Sequence, residues 1–123
     1  MKQIYLAVAV LLLVPILSYA YQGYTEGVLE KAAEAVVKAA EAANPEEAES
    51  YLLKAEKTWE GIRNFLAASS HHSAIEEINK CFVRAKAWLQ TGEKSMLVSE
   101  LKWLDKQIRH LYEMEVPTMY NIF

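Results

Sequence analysis

From Gln3 to Thr25 the chain carries no Asp, Glu, Lys, Arg or His, and between Ile4 and Tyr21 only Pro15 and Ser18 interrupt the apolar side chains. Coiled as a helix, Ile4 to Tyr21 would measure about 27 Å at ~1.5 Å per residue, close to the ~30 Å hydrocarbon core of a bilayer. Lys2 and the free amino terminus precede this run, whereas Glu26 and Glu30 follow it. The positive-inside bias therefore places the N-terminus in the cytoplasm and the rest of the chain outside. Tyr19, Tyr21 and Tyr24 gather at the outer boundary, where amphipathic rings anchor a spanning helix in the interface. A cleaved signal peptide is the alternative: Ile4 to Val14 would be its apolar core, Ser18-Tyr19-Ala20 its small-x-small site, and the body would be secreted after cleavage near Ala20. Both readings export the body. Residues 1–23 are read as a transmembrane anchor across residues 4–21, and residues 24–123 as an extracytoplasmic domain.

Once that run is set aside, the 53% apolar content of the 123 residues becomes an ordinary globular share, enough for one domain. Glycine and proline are scarce in the body, so helix is the default. A first segment, about Glu26 to Ala43, places Leu29, Ala33, Val36, Ala40 and Ala43 four and three residues apart. Gly23 and Gly27 are expected to loosen its junction with the anchor, the alternative being an anchor that runs straight into this segment. Asn44-Pro45-Glu46-Glu47 then reads as a helix start: an N-cap amide, proline at the first helical position, and acids in the first turn. The second segment repeats the spacing with Ala48, Leu52, Ala55, Trp59, Ile62 and Leu66. Ser73-Ala74-Ile75-Glu76 matches a capping box, and the third segment runs Ile75, Ile78, Phe82, Ala85 and Leu89 to a stop at Gly92. The fourth, about Glu93 to Met114, carries Leu97, Leu101, Leu104, Ile108 and Leu111.

A flanking stripe widens these seams: Tyr51 and Phe65; Ala74, Cys81 and Trp88; Met96, Trp103 and His110. Wide faces suit helices that each touch two neighbours, and short connections make successive helices antiparallel. The expected fold is all-α, a transmembrane helix followed by an up-down-up-down antiparallel four-helix bundle. Val116, Met119, Ile122 and Phe123 are too apolar for a free end, so Pro117 is expected to turn the chain and dock the tail across the bundle. No 34-residue helical repeat signature is present.

Few residues suggest chemistry. His71, His72 and Glu76 could approach a divalent metal, since 72 and 76 share a helix face, but the specific HExxH and paired ExxH patterns are absent. A polar turn between hairpins, with one histidine helping to fix it, is the favoured reading of these residues. Cys81, the only cysteine, is either a small buried hydrophobe or an intermolecular link. Neither a phosphate-binding glycine loop nor a nucleophile elbow occurs, and the net charge of −3 excludes a polybasic nucleic-acid binder. Residues 26–60 hold nine acids and four bases, whereas residues 61–123 hold seven acids and eight bases. Lys102, Lys106 and Arg109 lie opposite the seam of the fourth segment and, with Trp103 at its edge, form a candidate partner-binding face. Asp105 is spaced to pair with Arg109 at i, i+4. All three tryptophans are expected to fill the core, Trp103 at its margin.

The apolar leader, the Trp59-Glu60 helix, the His72-Ser73-Ala74-Ile75-Glu76-Glu77-Ile78 and Arg84-Ala85-Lys86-Ala87-Trp88-Leu89 runs, and the closing Asn121-Ile122-Phe123 together resemble an uncharacterised family. It is a domain-of-unknown-function group of short membrane-anchored helical proteins from spore-forming Gram-positive bacteria. The resemblance covers nearly the whole chain, although the alanine-rich first helix is lighter than the family's leucine-rich version. It implies an extracytoplasmic helical domain with no assigned reaction, cofactor or catalytic residue. The sequence thus points to a non-enzymatic envelope protein without a cofactor or small-molecule substrate, acting through a protein partner or its own copies; a small exported metal or ligand binder at His71, His72 and Glu76 is the alternative.

Overall fold

The structure, a computed structural model, describes residues 1–66 and 72–120, with the side chains of all of these except 22, 65 and 115–120. The described residues form four helices and no strand: α1 (Lys2–Ala40), α2 (Pro45–Leu66), α3 (His72–Thr91) and α4 (Lys94–Tyr120). Helix α1 packs against α2 and α4, α4 packs against α3, and α2 meets α3 more sparingly. Ala40 near the end of α1, Pro45 at the start of α2, Leu89 near the end of α3 and Leu97 near the start of α4 border one apolar recess.

The apolar run and the first body segment are one helix rather than two. Helix α1 passes through Pro15, Gly23 and Gly27 without a break, so the anchor runs straight into the first body segment, the second of the two expectations for this junction. Glycine costs a helix only ~1 kcal/mol relative to alanine, and packing of the downstream half offsets that. In this half the buried stripe is Leu29, Ala32, Ala33, Ala35, Val36 and Ala39. Ala40 is half-buried and Ala43 exposed, so the seam lies about one residue from the expected one. Alanine at most positions leaves periodicity little contrast, and contacts with two neighbours choose the face. Helix α1 ends at Glu41, whose N–H donates to the Val37 carbonyl at 3.0 Å.

Two helix boundaries follow their local chemistry closely. At the start of α2 the Glu47 N–H donates to Asn44 Oδ1 at 2.8 Å, and the Ala43 N–H donates to Glu47 Oε2 at 3.4 Å. At the end of α3, Gly92 adopts φ +74°. The Glu93 N–H reaches the Trp88 carbonyl at 3.1 Å and the Gly92 N–H reaches Leu89 at 3.3 Å, the paired bonds of a Schellman stop. The capping box expected at Ser73 is not formed there: α3 already includes His72, so Ser73 is itself helical rather than the N-cap. At the other end α4 runs through Pro117 to Tyr120, so the turn expected at that proline is absent. The proposed docking of Val116 and Met119 concerns side chains outside the described set, and Ile122 and Phe123 lie outside the described residues.

Every expected seam residue of α2 and α4 is buried, as are those of α3 apart from the half-buried Leu89. Trp59 fills the centre at 1% exposure, and its indole N–H donates to Asn79 Oδ1 at 2.6 Å, tying α2 to α3. Lys86 of α3 adds an ion pair to Glu56 of α2 at 2.7 Å.

Candidate functional site

Two surfaces set this chain apart from an inert bundle. The first is the N-terminal half of α1. An 18-residue window there has mean hydropathy 2.2 and none of it is buried against the rest of the chain; length and composition suffice to cross a membrane. Leu6, Leu11, Leu12 and Ile16 all stand exposed. At the end of this stretch Tyr19 and Tyr24 are exposed and Tyr21 is half-buried, and by Thr25 the helix has entered the protein interior. The tyrosine cluster therefore marks the level at which the surroundings of α1 change from exposed to packed.

The second surface is the outward face of α4. Met96, Trp103 and His110 recur every seven residues, and the flank they form is exposed rather than packed, with Trp103 at 44%. This corrects the expectation that Trp103 fills the core. The buried seam already occupies the directions facing α1 and α3, so a residue one step outside it meets water. Lys102 and Lys106 stand beside it, exposed and without an ion pair among the described residues. Arg109 instead turns back to Asp105 at 2.9 Å, the i, i+4 pair expected.

Beneath Trp103 lies a polar network that spacing alone did not reveal. The indole N–H donates to Glu77 Oε1 at 3.3 Å, and the same oxygen accepts from Arg84 at 2.9 Å. Arg84 also pairs with Glu100 of α4. The guanidinium thus joins carboxylates from two helices, and the indole is held against one of them. The hydrogen bond from Arg84, aided by that from Trp103, holds the Glu77 carboxyl below the usual carboxylate range. The same two carboxylates raise Arg84 above its ordinary value, so it stays charged. Glu77 and Arg84 share a helix face at i, i+7, a spacing visible in the sequence, but their convergence with Glu100 and Trp103 is tertiary.

Cys81 lies against this network, fully buried, with Arg84 Nη2 3.3 Å from its sulfur. Burial pushes its thiol up to about 11, so the inert reading of this cysteine fits the geometry and a ready nucleophile does not. His72 and Glu76 are both exposed at the start of α3, and His71 lies outside the described residues. Among the described residues no group of three or more His, Cys, Asp or Glu is placed to hold a metal ion.

No curated protein and no solved structure matches this chain. A family described as a domain of unknown function matches residues 16–122, beginning inside the apolar run and taking in all of the packed helices.

Proposed function

The chain belongs to the DUF4363 family of unknown function, and from that premise we propose that it is a non-catalytic, single-pass membrane protein of the cell envelope. Its N-terminus lies in the cytoplasm, its apolar leader is retained, and its outer helices alternate up, down, up and down. In this reading the domain binds another protein, or a further copy of itself, through the outward face of α4. The orientation rests on Lys2 before the apolar run and Glu26 and Glu30 after it. The observation that carries the binding role is Trp103: a tryptophan at 44% exposure, hydrogen-bonded to Glu77 and flanked by two cations that form no ion pair among the described residues. An aromatic side chain fixed before contact loses little conformational freedom on binding, which is why tryptophan is enriched at interface hot spots.

The test is position-specific photocrosslinking in intact membranes, with the reactive group at residue 103 or 106 and, as control, at the exposed Glu60. Adducts at 103 and 106 but not at 60, diminished by Lys102→Glu, support the role. Equal yields at all three positions, or none in protein that remains in carbonate-washed membranes, would remove it. Intact mass of the membrane-bound species tests the leader separately: a chain beginning at Tyr21 is incompatible with an anchor.

A further inference from the structure

Helix periodicity brings a second set of cations together on the far side of α1. Lys31, Glu34 and Lys38 are spaced three and four residues apart on one face of α1, and Tyr51, Lys54 and Thr58 are spaced likewise on α2. These faces meet across a cleft of about 220 Å³. The segment from 26 to 60 holds nine acids and four bases, yet three of its bases line this cleft and only one of its acids does. None of Lys31, Lys38 and Lys54 forms an ion pair among the described residues, and all three are exposed. The Lys38 ammonium stands 5.9 Å from the centroid of the Tyr51 ring, and no hydrogen bond occupies the Tyr51 hydroxyl among the described residues. Thr58 contributes little, because its hydroxyl already donates to the Lys54 carbonyl at 2.9 Å.

Three ammonium groups share the cleft with one carboxylate, Glu34, so positive charge is in surplus there and the like charges repel one another. The helices could have dispersed them at no cost to the seam, since none of the three is a buried position. An oxyanion with several negative oxygens removes that repulsion and gives each ammonium, and the Tyr51 hydroxyl, an acceptor. We infer that the cleft between α1 and α2, lined by Lys31, Lys38, Lys54 and Tyr51, is a binding site for a multiply charged phosphate-type anion. This goes beyond the partner-binding role of α4 and does not depend on it. Lys31 lies about 15 Å and Lys38 about 25 Å along α1 beyond Tyr21 at ~1.5 Å per residue. The headgroup zone extends only about 5 to 8 Å past the hydrocarbon on each side. A soluble phosphate compound or polymer therefore reaches the cleft more readily than the headgroups of the protein's own membrane.

The full chain in nanodiscs of neutral phosphatidylcholine, titrated calorimetrically with inorganic pyrophosphate at low salt, tests this. Saturable binding is expected. Lys38→Gln with Lys54→Gln should weaken it at least tenfold, Lys38→Arg with Lys54→Arg should retain it, and Lys102→Gln with Lys106→Gln, which removes the same charge elsewhere, should leave it unchanged. Equal weakening by both glutamine pairs would reduce the effect to net charge and overturn the site, as would absence of saturable binding. Binding dependent on Lys38 and Lys54 that requires anionic phosphatidylglycerol in the disc, with no response to pyrophosphate, would overturn the soluble source in favour of lipid.

Discussion

Trp59 and Trp103 place one side-chain type in two environments, and a single hydrogen bond defines each. The indole of Trp59 is sealed in the core and donates to Asn79 on the neighbouring helix. Trp59→Phe keeps an aromatic ring but leaves the Asn79 carbonyl without its donor, and should cost about 1 to 3 kcal/mol in a urea unfolding series. Trp103 instead helps to hold an ionised Glu77 at the surface. Because Arg84 and Trp103 lower the Glu77 pKa in the folded state, the stabilisation is complete above the unfolded value near 4.5 and is lost as pH falls through the folded value. The urea midpoint of the wild type should therefore fall more steeply than that of Glu77→Gln as the pH drops below about 4.5. Parallel slopes would show that the network is not coupled to folding. Nothing in the order of residues announced this network, since its members come from α3 and α4 and only the fold makes them neighbours.

At the scale of the element, local chemistry and periodicity are largely legible in the sequence. Asn44 and Glu47 cap α2 as their spacing implies, Gly92 stops α3, and the leucines of α4 form its seam. Three features were not readable. The α1 stripe was ambiguous because alanine offers little contrast between faces. The flank of α4 was equally apolar whether covered or bare, and only the number of neighbouring helices decides which. Proline suggests a turn at residue 117, and glycine leaves the junction at 23 and 27 open between a loosened and a continuous helix, yet the helices run through all three. Two glycines separate these influences cleanly. Gly61 lies inside α2 with nothing within 4 Å of an added Cβ, so Gly61→Ala should stabilise by about 0.5 to 1 kcal/mol through helix propensity. Gly92 has equally open space but φ +74°, so Gly92→Ala should destabilise by about 1 to 2 kcal/mol through left-handed backbone strain. Thermal melts of the two variants should move in opposite directions, and a common direction would contradict the boundary assigned to α3.

For the whole molecule, the informative fact is that α1 belongs at once to the apolar leader and to the buried core, with no flexible connection between Leu17 and Leu29. A tether would let the packed helices swivel freely; a shaft does not. Each residue added to a continuous helix turns everything beyond it by about 100° and advances it by about 1.5 Å. Alanine insertions of one, two, three or four residues after Ala20 should therefore change position-103 crosslinking in a cyclic manner, weakest near two insertions and recovering near four. A smooth decline with insertion length would indicate a pliable joint instead. If the cycle is found, the packed helices have a compass bearing as well as a distance from the leader: Trp103 and the lysine cleft point in fixed directions relative to whichever side of the leader helix faces its neighbours, and a one-residue change in the leader could silence a contact without touching a single residue that makes it.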